Sequence, residues 1–211
     1  MRQKTLEQNS AQDFAGLQID QLSKLRNGNI TFEQVKWFNN LSYEQRQALM
    51  GKQIEKEMIL RLISGAEELK LDAVDGKQTI HDSKGVFVYI DGDFKNYGAN
   101  TVGSSTKEIS VDVYEMVKNA TFAQMFGSLG NDLDKLCLTQ HQILNFISKN
   151  RNQLRSGGNA TFFLFKSGEN FFVANVDVNS DGLHVDVNRF ENVGVWDAGR
   201  LPRVVVPQLI P

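Results

Sequence analysis

Cysteine and proline are scarce in this chain, and each scarcity excludes a kind of architecture. The 211 residues include one cysteine, Cys137, so neither an internal disulfide framework nor a cysteine-rich zinc site is available. The three prolines stand at positions 202, 207 and 211, so no proline-rich linker separates domains before them. Residues 1–7 lack the apolar run of a secretory signal, and no apolar stretch reaches the roughly 18 residues that span a bilayer. We therefore expect a cytoplasmic protein that makes no membrane contact.

Net charge is equally small. The chain carries 23 Lys and Arg against 25 Asp and Glu, which gives no molecule-wide field to attract nucleic acid or an anionic membrane. Hydrophobic residues make up 41% and charged residues 23%, which is typical of a globular chain and not of a disordered one. What the chain has in excess is phenylalanine, with 14 residues against 4 tyrosines and 2 tryptophans. Much of this excess is concentrated between positions 162 and 172.

Helix starts are marked by capping boxes, in which a Ser or Thr is followed three residues later by Gln or Glu. They stand, in chain order, at Thr31, Ser42, Ser105 and Thr139. The first two predict helices in the N-terminal third, where apolar residues also recur at helical spacing. The box at Ser105 predicts a helix to about Lys118, and the box at Thr139 predicts one to about Leu154. A further short helix is predicted over 121–129.

Strands are predicted where short apolar runs lie between turn residues. These runs cover 85–90, 161–166, 170–179, 183–190 and 203–209. Turns at 167–168 and 179–182 join the second, third and fourth of them into an antiparallel meander.

These elements predict an α+β fold: a helical N-terminal region, followed by a helix packed on a C-terminal antiparallel β-meander. The helical region covers 1–71, a mixed segment of strand, loop and helix covers 72–135, and the helix and sheet cover 136–211. The middle segment either stands alone or forms one compact unit with the last.

Two carboxylates, Asp91 and Asp93, leave the end of the predicted strand 85–90. A pair of this kind can share a divalent cation such as Mg²⁺, as nucleases and phosphoryl-transfer enzymes require. A strand-to-loop turn, in which each Asp caps free backbone N–H groups, accounts for the same residues. We favour the turn, and we predict no metal site and no cofactor.

A second group of polar residues lies on the predicted hairpin. Alternation along a strand puts Asn175 and Asp177 on one face, and His184, Asp186 and Asn188 on one face of the next strand. If the two faces coincide, a His–Asp cluster forms that could bind a metal or act as acid and base. A solvated outer face explains the same pattern, and it is the interpretation we favour.

Basic and aromatic residues come together at the predicted helix that begins at Thr139. Lys149, Arg151 and Arg155 close that helix, and Phe163 and Phe165 follow on the next strand. Cations beside exposed aromatics would bind single-stranded nucleic acid. Cations that complement a helix dipole, beside phenylalanines buried in a core, are the alternative.

The phenylalanine-rich strands are apolar on both faces, whereas an exposed antiparallel face should alternate. Either the N-terminal helices cover the second face, or a partner does. Two of those helices, over 31–39 and 43–50, also have helix-turn-helix spacing, but the second offers Arg46 as its one cation.

Four phrases of the sequence resemble a known family. They are Asp93–Gly98, Thr139–Ile143, Thr161–Lys166 and Arg203–Gln208. They are similar to short proteins of candidate-phyla bacteria with very small genomes, a family with no assigned activity. The resemblance covers about two thirds of the chain, from Thr31 onward. It implies a self-contained soluble bacterial protein and transfers no functional residue.

Three functional hypotheses follow. The first is a soluble, non-catalytic binding protein that docks a protein partner, or a second copy of itself, through the phenylalanine-rich sheet or the N-terminal helices. The second is a metal-dependent hydrolase or nuclease that uses Asp91 and Asp93, with His184 and Asp186 as further catalytic candidates. The third is a weak nucleic-acid-binding protein that uses Lys149, Arg151 and Arg155.

Overall fold

The structure is a computed structural model that describes residues 22–42, 45, 58–65, 68–157 and 159–208. It divides into two compact units, residues 1–57 and residues 58–211. We call them the N-terminal unit and the sheet unit.

The N-terminal unit has helical residues at 22–26 and a helix α1 (Phe32–Asn39). The capping box at Thr31 is confirmed, because the Thr31 hydroxyl accepts the Gln34 N–H and the Thr31 N–H donates to Gln34 Oε1 at 2.7 Å. The same two bonds join Ser42 and Gln45. Most of the helix that this second box predicts, including the second half of the helix-turn-helix pattern, lies outside the described residues.

The sheet unit is built on one eight-stranded sheet. Its strands are β1 (Leu60–Leu62), β2 (Leu69–Leu71), β3 (Tyr89–Ile90), β4 (Ile109–Met116), β5 (Ala160–Ser167), β6 (Asn170–Val178), β7 (Leu183–Arg189) and β8 (Arg203–Pro207). The helices are α2 (Asp93–Asn96), α3 (Phe122–Gly127), α4 (Leu133–Leu136) and α5 (Gln140–Lys149), with 3₁₀ turns at Arg151–Gln153 and Ala198–Arg200.

The strand order is β1-β4-β8-β5-β6-β7-β3, and β2 also pairs with β4. All neighbours are antiparallel except β5 with β8 and β3 with β7, which are parallel. The expected combination of helices with a mostly antiparallel sheet is therefore confirmed. Segments 72–135 and 136–211 contribute to the same sheet, so they form one unit.

Two expectations about secondary structure are wrong. The segment 105–118 is not a helix, because Ile109–Met116 forms strand β4. Val111 and Val113 alternate with polar residues and bury one face of that strand, and this period of two outweighs the accidental capping box at Ser105. The end of the predicted helical region 1–71 is also wrong, since β1 and β2 lie within it and pair with β4.

Helices of the sheet unit cover both faces of the sheet. On the first face, Phe163 and Phe165 of β5 pack with Phe146 of α5 in a core cluster that also includes residues of the segment 69–99. On the second face, Phe162 packs with Phe122 of α3, with ring centroids 5.2 Å apart. The doubly apolar strands are thus explained by cover from the sheet unit itself. The segments 122–127 and 133–136, which we did not assign to this role, supply the missing layer.

Candidate functional site

The side chains of Asp91 and Asp93 are occupied by local hydrogen bonds. Asp91 Oδ1 accepts the Asp93 N–H at 2.9 Å, and Asp91 Oδ2 accepts the Val187 N–H at 3.4 Å. Asp93 Oδ1 instead accepts a hydrogen bond from Asn96, and bonds from Asn96 and Tyr97 hold the pKa of Asp93 below its usual range. Both carboxylates therefore accept hydrogen bonds within the turn that opens α2, and Asp91 also accepts one from β7. This geometry favours the turn interpretation over a shared cation.

The two hairpin faces coincide. Asn175 lies opposite Asp186, and Asp177 lies opposite His184, in the register of β6 with β7. All four therefore lie on the second face of the sheet, beyond the part that α3 and α4 cover. Parallel pairing of β3 with β7 sets Tyr89 opposite His184, with ring centroids 5.6 Å apart.

Burial and a neighbouring carboxylate raise the pKa of both Asp186 and Asp177. Burial, followed by the charge of Asp91, raises the pKa of Asp186, and burial, followed by the charge of Asp186, raises that of Asp177. We call Asp91, Asp186 and Asp177 the carboxylate row. His184 Nε2 lies 3.0 Å from Asp181, an exposed residue of the turn. Among the described residues, no group of three or more His, Cys, Asp or Glu side chains is arranged to hold a metal ion.

A cavity of about 390 Å³ opens at one end of the carboxylate row. Its walls come from β5, β6 and the segment 195–202, and they are Asn159, Ala160, Asn175, Asp177, Val195, Trp196, Asp197, Arg200 and Pro202. Asn175 has 8% of its surface exposed, and its Oδ1 accepts no hydrogen bond from any described residue. Asn175 and Asp177 were predicted from the sequence to share a face, whereas the opposite wall of the cavity was not predicted. The one feature of the sequence that could have indicated this wall is Trp196, the single tryptophan outside the N-terminal unit.

The basic candidates do not form a surface with the phenylalanines. Phe163 and Phe165 are fully buried in the first-face core, so neither offers a ring for base stacking. Lys149 Nζ lies 2.7 Å from Asp72, which neutralises it locally. Arg151 is exposed and Arg155 is half-buried. These positions favour the core and helix-dipole interpretation of the segment.

Arg155 has a neighbour that sequence analysis did not find. Burial and the charge of Arg155 lower the pKa of Arg203, whose Nη1 donates to the Gln153 carbonyl at 2.6 Å. The Nε atoms of both arginines are buried and donate to no described residue.

Cys137 is unsuited to nucleophilic chemistry. Burial and the charge of Asp134 raise the pKa of its thiol to about 12, so the thiolate is scarce at neutral pH.

No protein-family model, curated protein or solved structure matches this chain. No helix within the described ranges is long and apolar enough to cross a membrane.

Proposed function

We propose that this protein is a non-catalytic binding protein that docks a protein partner through its N-terminal helices. The observation that carries the proposal is the exposure of large apolar side chains there. Phe32 is 71% exposed, Trp37 is 54% exposed and Leu22 is 65% exposed. Helix α1 buries none of its residues. Exposed apolar side chains of a helix gain stability when they enter a groove of another protein.

The sheet is the weaker of the two docking surfaces that the sequence suggested. Its phenylalanines 162, 163, 165 and 172 are fully buried, so a partner would have to displace α3, α4 or α5 to reach them. This burial supports docking at the N-terminal helices instead.

Helix α1 itself has no net charge and so gives no support for nucleic acid, although Lys24 and Arg26 lie on the helical residues 22–26 before it. Glu33 and Lys36 are its charged residues, and they cancel. A surface that binds phosphates needs an excess of Lys or Arg. The hydrolase alternative has less support as well, because the carboxylates of Asp91 and Asp93 accept the local hydrogen bonds of the turn that opens α2. We also propose a cytoplasmic location and membership of the small-genome bacterial family, on the sequence features given above.

Photo-crosslinking tests the docking proposal. A photoreactive phenylalanine analogue at position 37 should capture a defined protein, or a second copy of the chain, in cells of the source organism. The captured protein is then purified and its affinity measured. The double variant Phe32→Ser/Trp37→Ser should weaken binding by about tenfold or more. The matched control is Val193→Ser, which changes a residue of the sheet unit that is 84% exposed.

Two results would overturn the docking proposal. One is the absence of any specific crosslink from position 37. The other is equal affinity of the captured protein for the wild type and for the Phe32→Ser/Trp37→Ser variant.

A further inference from the structure

The geometry points to a binding site for a small organic ammonium ion in the cavity between β5, β6 and the segment 195–202. This site is independent of the N-terminal helices and of the docking proposed for them. Its ligand is a primary amine with a short alkyl chain.

Asn175 is the first residue that points to a ligand. It lines the cavity, it is more than nine-tenths buried, and its Oδ1 has no donor among the described residues. A buried carbonyl oxygen without a donor is unfavourable, and native proteins almost always satisfy such atoms. An N–H donor on a bound molecule would satisfy it once the Asn175 amide turns this enclosed oxygen toward the cavity.

Asp177 supplies the charge. It is two residues further along β6, on the same face as Asn175, and it also lines the cavity. Its carboxylate accepts no hydrogen bond from a side chain or backbone group of the described residues, and it faces Asp186 and His184 across the β6–β7 pair. Asp197 and Arg200 add one charge of each sign to the wall, so the lining carries a net charge of −1. An ammonium group offers both the donor that Asn175 lacks and the charge that Asp177 attracts.

The remaining wall determines the kind of cation. Ala160, Val195 and Pro202 are apolar, and Trp196 packs at their side with its ring 4.6 Å from that of Phe162. An alkyl chain would pack against these groups, whereas a bare metal ion would not. The oxygen donors here also fall short of a metal-binding group among the described residues. The volume of about 390 Å³ lies in the range of small-molecule sites.

Calorimetric titration of the full-length protein with n-butylammonium chloride tests this site, with NaCl holding the ionic strength constant. Saturable binding is expected for butylammonium and not for butan-1-ol, which has the same chain without the charge. In a Trp37→Phe background, Trp196 is the one remaining tryptophan, and its fluorescence should change with the same saturation curve.

Substitutions locate the bound cation. Asp177→Asn should weaken butylammonium binding by about tenfold or more. Asp181→Asn removes an equal charge from a nearby exposed turn residue outside the cavity, and it should leave the affinity within about twofold. Asn175→Leu provides a second test, since it removes the unpaired oxygen and replaces it with an apolar group of similar size. This variant should remain folded and bind butylammonium more weakly.

Four outcomes would overturn the site. They are the absence of saturation at concentrations on the order of tens of millimolar, equal binding of butan-1-ol, tighter binding of butyrate through Arg200, and equal losses in Asp177→Asn and Asp181→Asn. None of these outcomes bears on crosslinking at position 37, so this site and the docking proposal fail separately.

Discussion

The two faces of the sheet are built from the same strands but differ in what they leave open. On the first face, Phe172, Ala174 and Val176 of β6 continue the core, and β7 adds Val185 and Val187. On the second face, the same two strands present polar residues: Asn175, Asp177, His184 and Asp186. The apolar core of that face runs from β1 through β4, β8 and β5 to β6, together with the helices above them.

This difference shows how one sheet provides both stability and a site. Where helices cover a face, most inward side chains are apolar, although Thr161, Ser167 and Glu115 of the first face are buried as well. Where the cover ends, Asp177 and Asp186 stay half-buried, and burial raises the pKa of both without full desolvation. The second face thus changes from core to candidate site within the width of β6.

The largest expected effect comes from removing one buried phenylalanine from each face of the sheet. Phe163→Ala on the first face and Phe162→Ala on the second should each lower the free energy of unfolding by about 3–5 kcal/mol, because both side chains are fully buried. Urea unfolding measures both losses. An exposed control, Val193→Ala, should change stability by less than about 0.5 kcal/mol. A loss below about 1 kcal/mol for Phe162→Ala would mean that α3 and α4 do not cover the second face.

The next test concerns the segment 69–104, which contributes to the cover of the first face. Gly76 has a φ of +75°, and a Cβ at this position would collide with the backbone carbonyl of Ser104. Gly76→Ala should therefore lower the free energy of unfolding by about 1–3 kcal/mol. Gly85→Ala is the matched control, because Gly85 has open space around its Cα and an ordinary φ. Thermal unfolding of the two variants, showing equal midpoints, would contradict the close approach of these loops.

A smaller effect is expected where α5 meets the end of β2. Lys149 Nζ lies 2.7 Å from Asp72, and Asn145 also donates to that carboxylate. A double-mutant cycle with Lys149→Ala and Asp72→Ala should give a coupling energy of about 0.2–1 kcal/mol, because the pair is exposed. A coupling energy of zero would mean that Asp72 does not hold Lys149, so the Lys149 ammonium group would be available to bind a ligand.

Much of the sheet could be predicted because its signals are local. Strand β5 is a continuous apolar run, β6 begins as one and then alternates apolar with polar residues, and β7 alternates throughout. Short turns join the three, and β8 is a run of valines. Strand β4 was missed because the residues at 105 and 108 imitate a capping box. Strands β1 and β2 are three residues long, too short to show a period of two.

The pairings that complete the fold were beyond local signals. The parallel neighbours β5 with β8 and β3 with β7 join strands that are far apart in sequence. Helices α3 and α4 have six and four residues, so they show too little periodicity to reveal which face they cover. Their role depends on long-range packing.

The part of the candidate site that β6 and β7 form could be predicted from the sequence. The turn at 179–182 sets the register of β6 with β7, and this register places Asp177 opposite His184, as alternation along the strands allowed. The opposite wall of the cavity was not predictable, because Trp196 reaches the cavity through a segment with no regular pattern. Its isolated pairing with Ala120 is a contact across 76 positions.

The smallest expected effect, and the most specific to the second face, is the dependence of stability on pH. Since the pKa of Asp177 is raised in the folded state, its protonated form stabilises the fold below the ordinary carboxyl pKa of about 3.9, and this contribution is lost as the pH rises through the raised value. Asp177→Asn should therefore be more stable than the wild type at pH 7, with the gain vanishing in acid.

The contribution of Asp93 to stability depends on pH in the opposite direction, because hydrogen bonds from Asn96 and Tyr97 lower its pKa. Its charged form stabilises the fold above the ordinary carboxyl pKa, and this contribution is lost as the pH falls through the lowered value. Asp93→Asn should therefore be less stable than the wild type at pH 7, and the difference should shrink in acid. Urea unfolding of both variants at pH 7 and at about pH 3.5 measures the two slopes. If Asp177→Asn lost stability at pH 7, its carboxylate would be paired in the fold, and the second face would hold no unsatisfied charge for a cation to find.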